Sequence, residues 1–368
     1  MDASLFDYHL PADRIAQKSV EPRDRAKMLV VRRNGNPTSS PSQGRAISDL
    51  PDKGEGKRVS ELEDRHVFDL PEYLETGDLI VLNNSKVFKA RLKTTEGIEI
   101  FLLRPTLASP LLRGNTKGSV DESAGFWLAL AKPGRKLKVG DVVKFSDQTE
   151  AVVCAKQNDG TIALDFHKTP EEVFALAEKI GEIPVPPYVK ETPDALEKYQ
   201  TIYAETRGSV AAPTAGFHFT DRLFKALEEK GVQHAFVTLH VGLGTFRPMK
   251  TRTLEEHVMH EEWIEVPEET RKMIEETKKN GHRVIAIGTT TVRALESNVH
   301  SGFTKLFITP GFEFKIVDGL LTNFHLPKST LLVLVSAFAG RKLILQAYSH
   351  AIRNDYRFYS FGDAMLIL

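Results

Sequence analysis

Cysteine is all but absent: Cys154 is the single one in 368 residues, so neither an internal disulfide nor a multi-cysteine zinc site can form. A lone thiol suits a reducing compartment and is ordinarily buried and inert. Net charge is absent too. Lys+Arg and Asp+Glu each number 49, which excludes a globally basic nucleic-acid binder and leaves only local patches. Long apolar runs are missing. The most apolar, Leu331 to Gly340, is too short to cross a bilayer and reads as a buried helix, opened near Ser329 and stopped by Gly340. Residues Met1 to Leu10 hold no apolar core of a secretory signal. No period of a solenoid or propeller is visible. The expectation is a soluble, cytoplasmic protein.

Two stretches, 34–58 and 106–124, are rich in Pro, Gly and Ser and lack apolar periodicity. They read as flexible surface insertions. A strand is expected over 78–82. Between 87 and 166 the chain breaks into short alternating runs: 90–93, 98–103, 126–130, 141–145, 150–154 and 161–166. Turn signals such as Lys132-Pro133-Gly134 and Asn158-Asp159-Gly160 separate them, and with no long helix between them they imply a small β-barrel. After Thr169, helical patterns over 170–180, 220–230, 267–280 and 289–300 alternate with strand runs over 236–239, 263–266, 284–287 and 306–309. That alternation argues an α/β layer. The fold class is therefore α/β: a discontinuous α/β domain built from both chain ends (1–86 and 167–368), with a small all-β barrel (87–166) inserted.

Several loops follow strand-like runs and share one grammar. Thr238-Leu239-His240-Val241-Gly242-Leu243-Gly244-Thr245-Phe246 is the sharpest; Gly288-Thr289-Thr290-Thr291 and Thr322-Asn323-Phe324-His325-Leu326-Pro327 follow it. Strand ends are where α/β proteins place chemistry, because backbone amides there can approach a ligand. The glycines of His240–Thr245 expose amides to an anion or a ribose. The third glycine and following helix of a dinucleotide turn are missing, so that reading is poor. His240 is equally readable as a histidine packed in a tight turn. His218, in the small-residue run Ser209–Thr220 that includes Thr214, suits an acid, a base or a donor, or is simply satisfied by backbone. Arg293 and Glu296 share a helix face beyond Thr289–Thr291; a cap with a solvated ion pair reads them as well. His257 and His260 lack a third soft ligand at fixed spacing, and no metal is expected. Lys86 to Lys93 and Lys132 to Lys138 are the best local basic segments, though most basic turns are merely solvated.

Beyond these loops, the segments Gly181–Tyr188, Tyr199–Ala204, Ser209–Phe219, Thr238–Phe246, Glu256–His260, Gly288–Arg293, Pro310–Phe312, Asp318–Pro327 and Tyr359–Met365 stand in one order along the chain. In that order they closely resemble the S-adenosylmethionine:tRNA ribosyltransferase-isomerases of queuosine biosynthesis, over nearly the whole length. Two departures stand out. Asn83-Asn84-Ser85-Lys86-Val87 replaces the family's usual Asn-Asn-Thr-Arg-Val, and Lys27 stands where Arg is general. Lysine keeps the charge and loses the planar fork.

The resemblance implies transfer and isomerisation of the ribosyl moiety of S-adenosylmethionine onto 7-aminomethyl-7-deazaguanine at the tRNA wobble position. Epoxyqueuosine-tRNA forms and adenine and methionine leave. S-adenosylmethionine is consumed as ribosyl donor, no other cofactor is implied, and a monomer gripping the anticodon arm is expected. Removal of the proton next to the sulfonium needs a base, for which His218, His240 and His325 are candidates. The methionine carboxylate suits the amides at a helix start such as Thr289 to Thr291, with Arg293 assisting, and its ammonium suits Glu296. Thr214, Gly242, Gly244, Thr245, Thr290 and Asn323 are candidates for the remaining substrate contacts. For tRNA the candidates are Lys86, Arg91, Lys132, Arg135 and Lys136. Two rival readings are an RNA methyltransferase using the same donor and a non-catalytic tRNA-binding protein.

Overall fold

Branched apolar runs build the main sheet. The computed structural model describes residues 1–33, 62–106, 126–157, 160–185, 188–189, 196–242 and 249–368. In chain order the strands are β1 (Lys27–Val31), β2 (Leu62–His66), β3 (Leu79–Asn83), β4 (Ser85–Val87), β5 (Arg91–Lys93), β6 (Glu99–Thr106), β7 (Phe126–Lys132), β8 (Val142–Lys144), β9 (Glu150–Lys156) and β10 (Thr161–Asp165). They continue with β11 (Thr206–Ser209), β12 (Gln233–Leu239), β13 (Glu262–Glu265), β14 (Val284–Ile287), β15 (Ser301–Thr304), β16 (Gly319–Asn323) and β17 (Ala364–Ile367). The helices are α1 (Leu70–Tyr73), α2 (Pro170–Ile180), α3 (Asp221–Glu229), α4 (Glu268–Lys279), α5 (Thr289–Glu296), α6 (Thr330–Ala339) and α7 (Arg341–Arg353).

Nine strands form one mixed sheet in the order β15-β13-β12-β3-β14-β16-β17-β1-β2. Its centre, β12-β3-β14-β16, is parallel throughout. All five residues of β3 are buried, as a strand covered on both faces requires. Leu79 and Val81 enter a core shared with α5, α6 and α7, while Ile80 and Leu82 enter another shared with α1 and α3. Period-two alternation thus feeds two cores from one continuous apolar run.

Six antiparallel strands form the second sheet, β5-β6-β7-β10-β9-β8. A bridge between Thr94 and Phe145 joins its two edges, so the sheet curls round. Trp127, Phe88 and Phe174 meet edge-to-face in and beside its core. β4 and β11 make a separate parallel ribbon. Mixed α/β architecture with a curled β sheet therefore holds.

Three expectations shift. The helix expected to reach His300 stops at Glu296, because Asn298 adopts φ 55° and leaves the helical path. The strand expected over 306–309 is instead β15, five residues earlier. There β15 pairs with β13, while Ile308 is buried without a ladder. Helix α7, bent by 115° from α6 at Gly340 (φ 86°), was not expected. No single helix among the described residues is long and apolar enough to cross a membrane. Both insertions, 34–58 and 106–124, lie outside the described residues apart from Thr106.

Candidate active site

Because β12, β3, β14 and β16 run parallel, their C-terminal ends meet at one sheet edge, where α/β folds bind ligands. The loops after Asn83, Leu239, Ile287 and Asn323 converge there. Asn83 ties β3 to β12 and to the first turn of α5: its Oδ1 accepts from Leu239 N (3.0 Å) and Ser85 N (3.0 Å), and its Nδ2 donates to Leu239 O (3.0 Å) and Thr290 Oγ1 (3.2 Å). Beside it lies a cavity lined by Ala212, Pro213, Thr214, Ala215, Val241, Gly288, Thr289, Thr290, Thr322, Asn323, His325, Leu331, Tyr359 and Ser360. Its room is about 50 Å³, well below the roughly 300 Å³ of the smallest ordinary ligand pockets. A nucleoside-sized ligand must therefore open it.

Helix α5 starts at this cavity. Gly288 holds φ 89°, which favours glycine, and a Cβ there would already stand 3.4 Å from that of Ala215. No side chain caps α5, so its first amides are aimed where an anion is stabilised. Opposite, Asn323 accepts from Thr214 Oγ1 (3.2 Å), and its Nδ2 meets His218 Nε2 (3.2 Å) and Asp363 O (3.4 Å). His325 lies on the wall, its Nε2 3.2 Å from Thr322 Oγ1. Its backbone is held by two tyrosines: His325 N donates to Tyr348 OH (2.9 Å), and Tyr8 OH donates to His325 O.

The three candidate histidines separate here. Burial pushes His325 down to about 3, and His218 and His240 each to about 4. At His218 the Asp363 carboxylate opposes burial without overcoming it. All three imidazoles are thus neutral at pH 7. Only His325 lines the cavity. His218 stands behind Asn323, and His240 stacks on Trp263 (5.1 Å between centroids) with its Nδ1 2.8 Å from Ser85 Oγ.

Of the substrate candidates, Thr214, Thr289, Thr290 and Asn323 come together on the cavity wall. Gly242 and Arg293 do not. Glu262 takes both, accepting from Gly242 N (3.1 Å) and pairing with Arg293 Nη1, while Arg293 Nε donates to Leu306 O (3.1 Å). Glu296 also lies elsewhere: it accepts from the backbone amides of Lys315, Ile316 and Val317 at 2.9–3.0 Å. It thereby fastens a loop beside a second, roomier hollow of mixed charge that includes Arg271, Glu275 and Glu313. Gly244 and Thr245 lie outside the described residues.

Sequence reasoning missed Thr322, Leu331, Tyr359 and Ser360 on the wall. Tyr359 holds φ 76°, unusual for a bulky residue, and its ring meets Tyr188 edge-on at 4.0 Å. Tyr188 OH contacts Ser360 Oγ. The segments Gly181–Tyr188 and Tyr359–Met365 were already singled out as units; their meeting across 171 residues was not legible.

Among the basic candidates, Lys86, Lys132, Arg135 and Lys136 are exposed. Arg91 is half-buried, 3.8 Å from Glu99. Lys27 turns away from the cavity, donating to Asn354 O (2.9 Å) at the end of α7. No group of three His, Cys, Asp or Glu side chains suited to a metal gathers among the described residues.

The chain as a whole has relatives. Residues 3–367 match the family model described as Queuosine biosynthesis protein. The S-adenosylmethionine:tRNA ribosyltransferase-isomerase of Thermotoga maritima is 45% identical over 380 residues, covering all of both chains. That of Thermosipho melanesiensis is 46% identical over 378 residues, again covering all of both. Moorella thermoacetica has one at 45% over 377 residues, covering 99% of this chain and 98% of the relative. The crystal structure of S-adenosylmethionine tRNA ribosyltransferase from Thermotoga maritima is similar with TM-score 0.52 and 37% identity, covering 99% of this chain and all of that one. With the match running almost end to end, the chain belongs to the queuosine biosynthesis protein family.

Proposed function

We propose that this chain is an S-adenosylmethionine:tRNA ribosyltransferase-isomerase acting in queuosine biosynthesis. It transfers the ribosyl part of S-adenosylmethionine to 7-aminomethyl-7-deazaguanine at the tRNA wobble position, giving epoxyqueuosine-tRNA, adenine and methionine. The observation that carries this is the full-length family match coinciding with a cavity at four parallel strand ends.

His325 is assigned the removal of the proton beside the sulfonium, since it alone of the three histidines lines the cavity; like the other two it is neutral at pH 7. The first amides of α5 take the methionine carboxylate. Thr214, Thr290 and Asn323 take ribose hydroxyls. His218 acts through Asn323 as a positioning residue: its Nε2 receives the carboxamide N–H, which leaves Asn323 Oδ1 turned to Thr214. Glu296, committed to three backbone amides, is released from the ammonium role. Arg293 positions the Gly242 loop through Glu262.

The protein works as a cytoplasmic monomer, with the nine-stranded sheet (1–86 and 167–368) and the curled sheet (87–166) as two domains. The exposed turn with Lys132, Arg135 and Lys136 touches the anticodon arm, and no cofactor beyond the donor is needed. The test supplies S-adenosylmethionine and tRNA bearing the aminomethyl-deazaguanine. Adenine and methionine are expected on the chromatogram. S-adenosylhomocysteine would instead mark a methyltransferase, and an intact donor beside tight tRNA binding a non-catalytic binder.

A further inference from the structure

The ribbon of β4 and β11 lies on the path from β3 into the curled sheet, and its two faces differ. One face is closed. Ser85, Val87 and Ser209 are fully buried, Ser85 Oγ meets His240, and a Cβ on Gly208 would stand 2.4 Å from His240 Nε2. The other face carries Lys86 directly opposite Arg207, both exposed.

Like charges directly opposite on neighbouring strands destabilise a sheet, and a two-stranded ribbon has little else to hold it. Among the described residues neither cation makes an ion pair. Glu205, two residues from Arg207, turns its carboxylate to Asn84 Nδ2 (3.3 Å). The Arg207 guanidinium lies over the Phe174 ring at 5.3 Å. The ribbon's register thus sets a lysine opposite an arginine on its exposed face, with no carboxylate paired to either among the described residues.

Its place relative to the cavity matters. Asn83, three residues before Lys86, is bonded to Thr290 on the cavity wall, and Ala212, five residues after Arg207, lines it. Three residues span at most about 10 Å, within the reach from a base to its own backbone. We propose that Lys86 and Arg207 form a clamp for a backbone phosphate of the tRNA, beside the nucleotide whose base enters the cavity. His240, packed under the ribbon, is then the support that sets the clamp's height and not a group of the reaction.

The clamp rests on the reading of tRNA as substrate, and its test keeps the two apart. Lys86→Gln, Arg207→Gln and the double variant are compared with the wild type and with Lys272→Gln, an exposed lysine of α4 paired to Glu268. tRNA affinity is measured across a salt series, alongside adenine release at saturating tRNA. The double variant is expected to lose roughly tenfold in affinity near physiological salt. Its slope of log K against log salt should flatten by about 0.7, the worth of one phosphate contact on a single strand. The melting temperature of the double variant should not fall below that of wild type, because the like-charge opposition is relieved, and every property of Lys272→Gln should stay within error of wild type. Active wild type with an unchanged slope in the double variant overturns the clamp alone. A weaker affinity at wild-type slope also overturns it, because the loss would then be structural. Wild type that neither binds tRNA nor releases adenine overturns the enzyme reading and the clamp together.

Discussion

The cavity at the strand ends and the outer face of the curled sheet are both polar, yet they meet opposite physical conditions. At the cavity the polar side chains are buried and tied: Asn83 beside it, and Asn323, Thr322 and His325 on its wall, each hydrogen-bond a named partner. Across the curled sheet, charges pair in the open. Lys93 and Glu182 meet at 2.5 Å with side chains 62% and 47% exposed, and Lys144 and Glu150 at 2.7 Å with 63% and 51%. Water and salt screen the second kind, which is worth little. The first kind is held in a medium where a lost partner costs its full desolvation. Side-chain orientation is therefore fixed at the strand ends, while the charges of the curled sheet are held only loosely.

Substitutions can break or sharpen that contrast. The largest effect is expected at His325→Gln, with turnover down by roughly 10²–10⁴, the worth of a general base, and tRNA affinity unchanged. Wild-type turnover in this variant, once it is shown to be folded, would remove the base from His325. Next is Glu262→Gln, which leaves Arg293 (3% exposed) without its countercharge. A buried pair broken on one side costs about 3–5 kcal/mol, readable as a shifted denaturant midpoint; a shift within error would mean that the pair is wet.

A third test is titration of stability. His218, His240 and His325 stay neutral in the folded chain down to about 4, 4 and 3, whereas unfolded histidine takes its proton near 6.5. Between these values the unfolded state binds more protons, so stability falls as pH drops from about 6.5 towards 4. Replacing His325 by Gln should make that fall shallower. An equal slope in the variant would show His325 protonated normally. The smallest effect is expected at Lys93→Ala, at most about 1 kcal/mol with unchanged adenine release; a large loss would place that lysine in the machinery after all.

Much was legible before the structure. Helix α2 opens with Thr169 and Pro170 and closes at Gly181, and its expected bounds hold. β14 is a continuous apolar run ended by Gly288, and its bounds hold as well. Local rules suffice there because capping and turn residues sit next to what they terminate. The Leu306 segment misled because an apolar run can be buried by packing alone, and periodicity does not tell a ladder from a covered loop. His218, His240 and His325 looked alike for a related reason. His240 and His325 follow strands and His218 precedes helix α3, and which one faces a cavity depends on partners such as Asn323 and Ser85, which stand 105 and 155 residues away.

By itself the sequence determined the family, the alternation of β and α after Thr169, the short strands of the curled sheet, and the set of loops with polar tips. Those are properties of composition and near neighbours, written in consecutive residues. Only the tertiary structure decided that four strand ends meet at one edge and that His325 alone of the three histidines lines the cavity there. It also showed that Glu262 claims Arg293 and Gly242, and that Lys86 faces Arg207. Those outcomes depend on strand order and register, which arise when distant segments exclude water together, and no single segment carries that information.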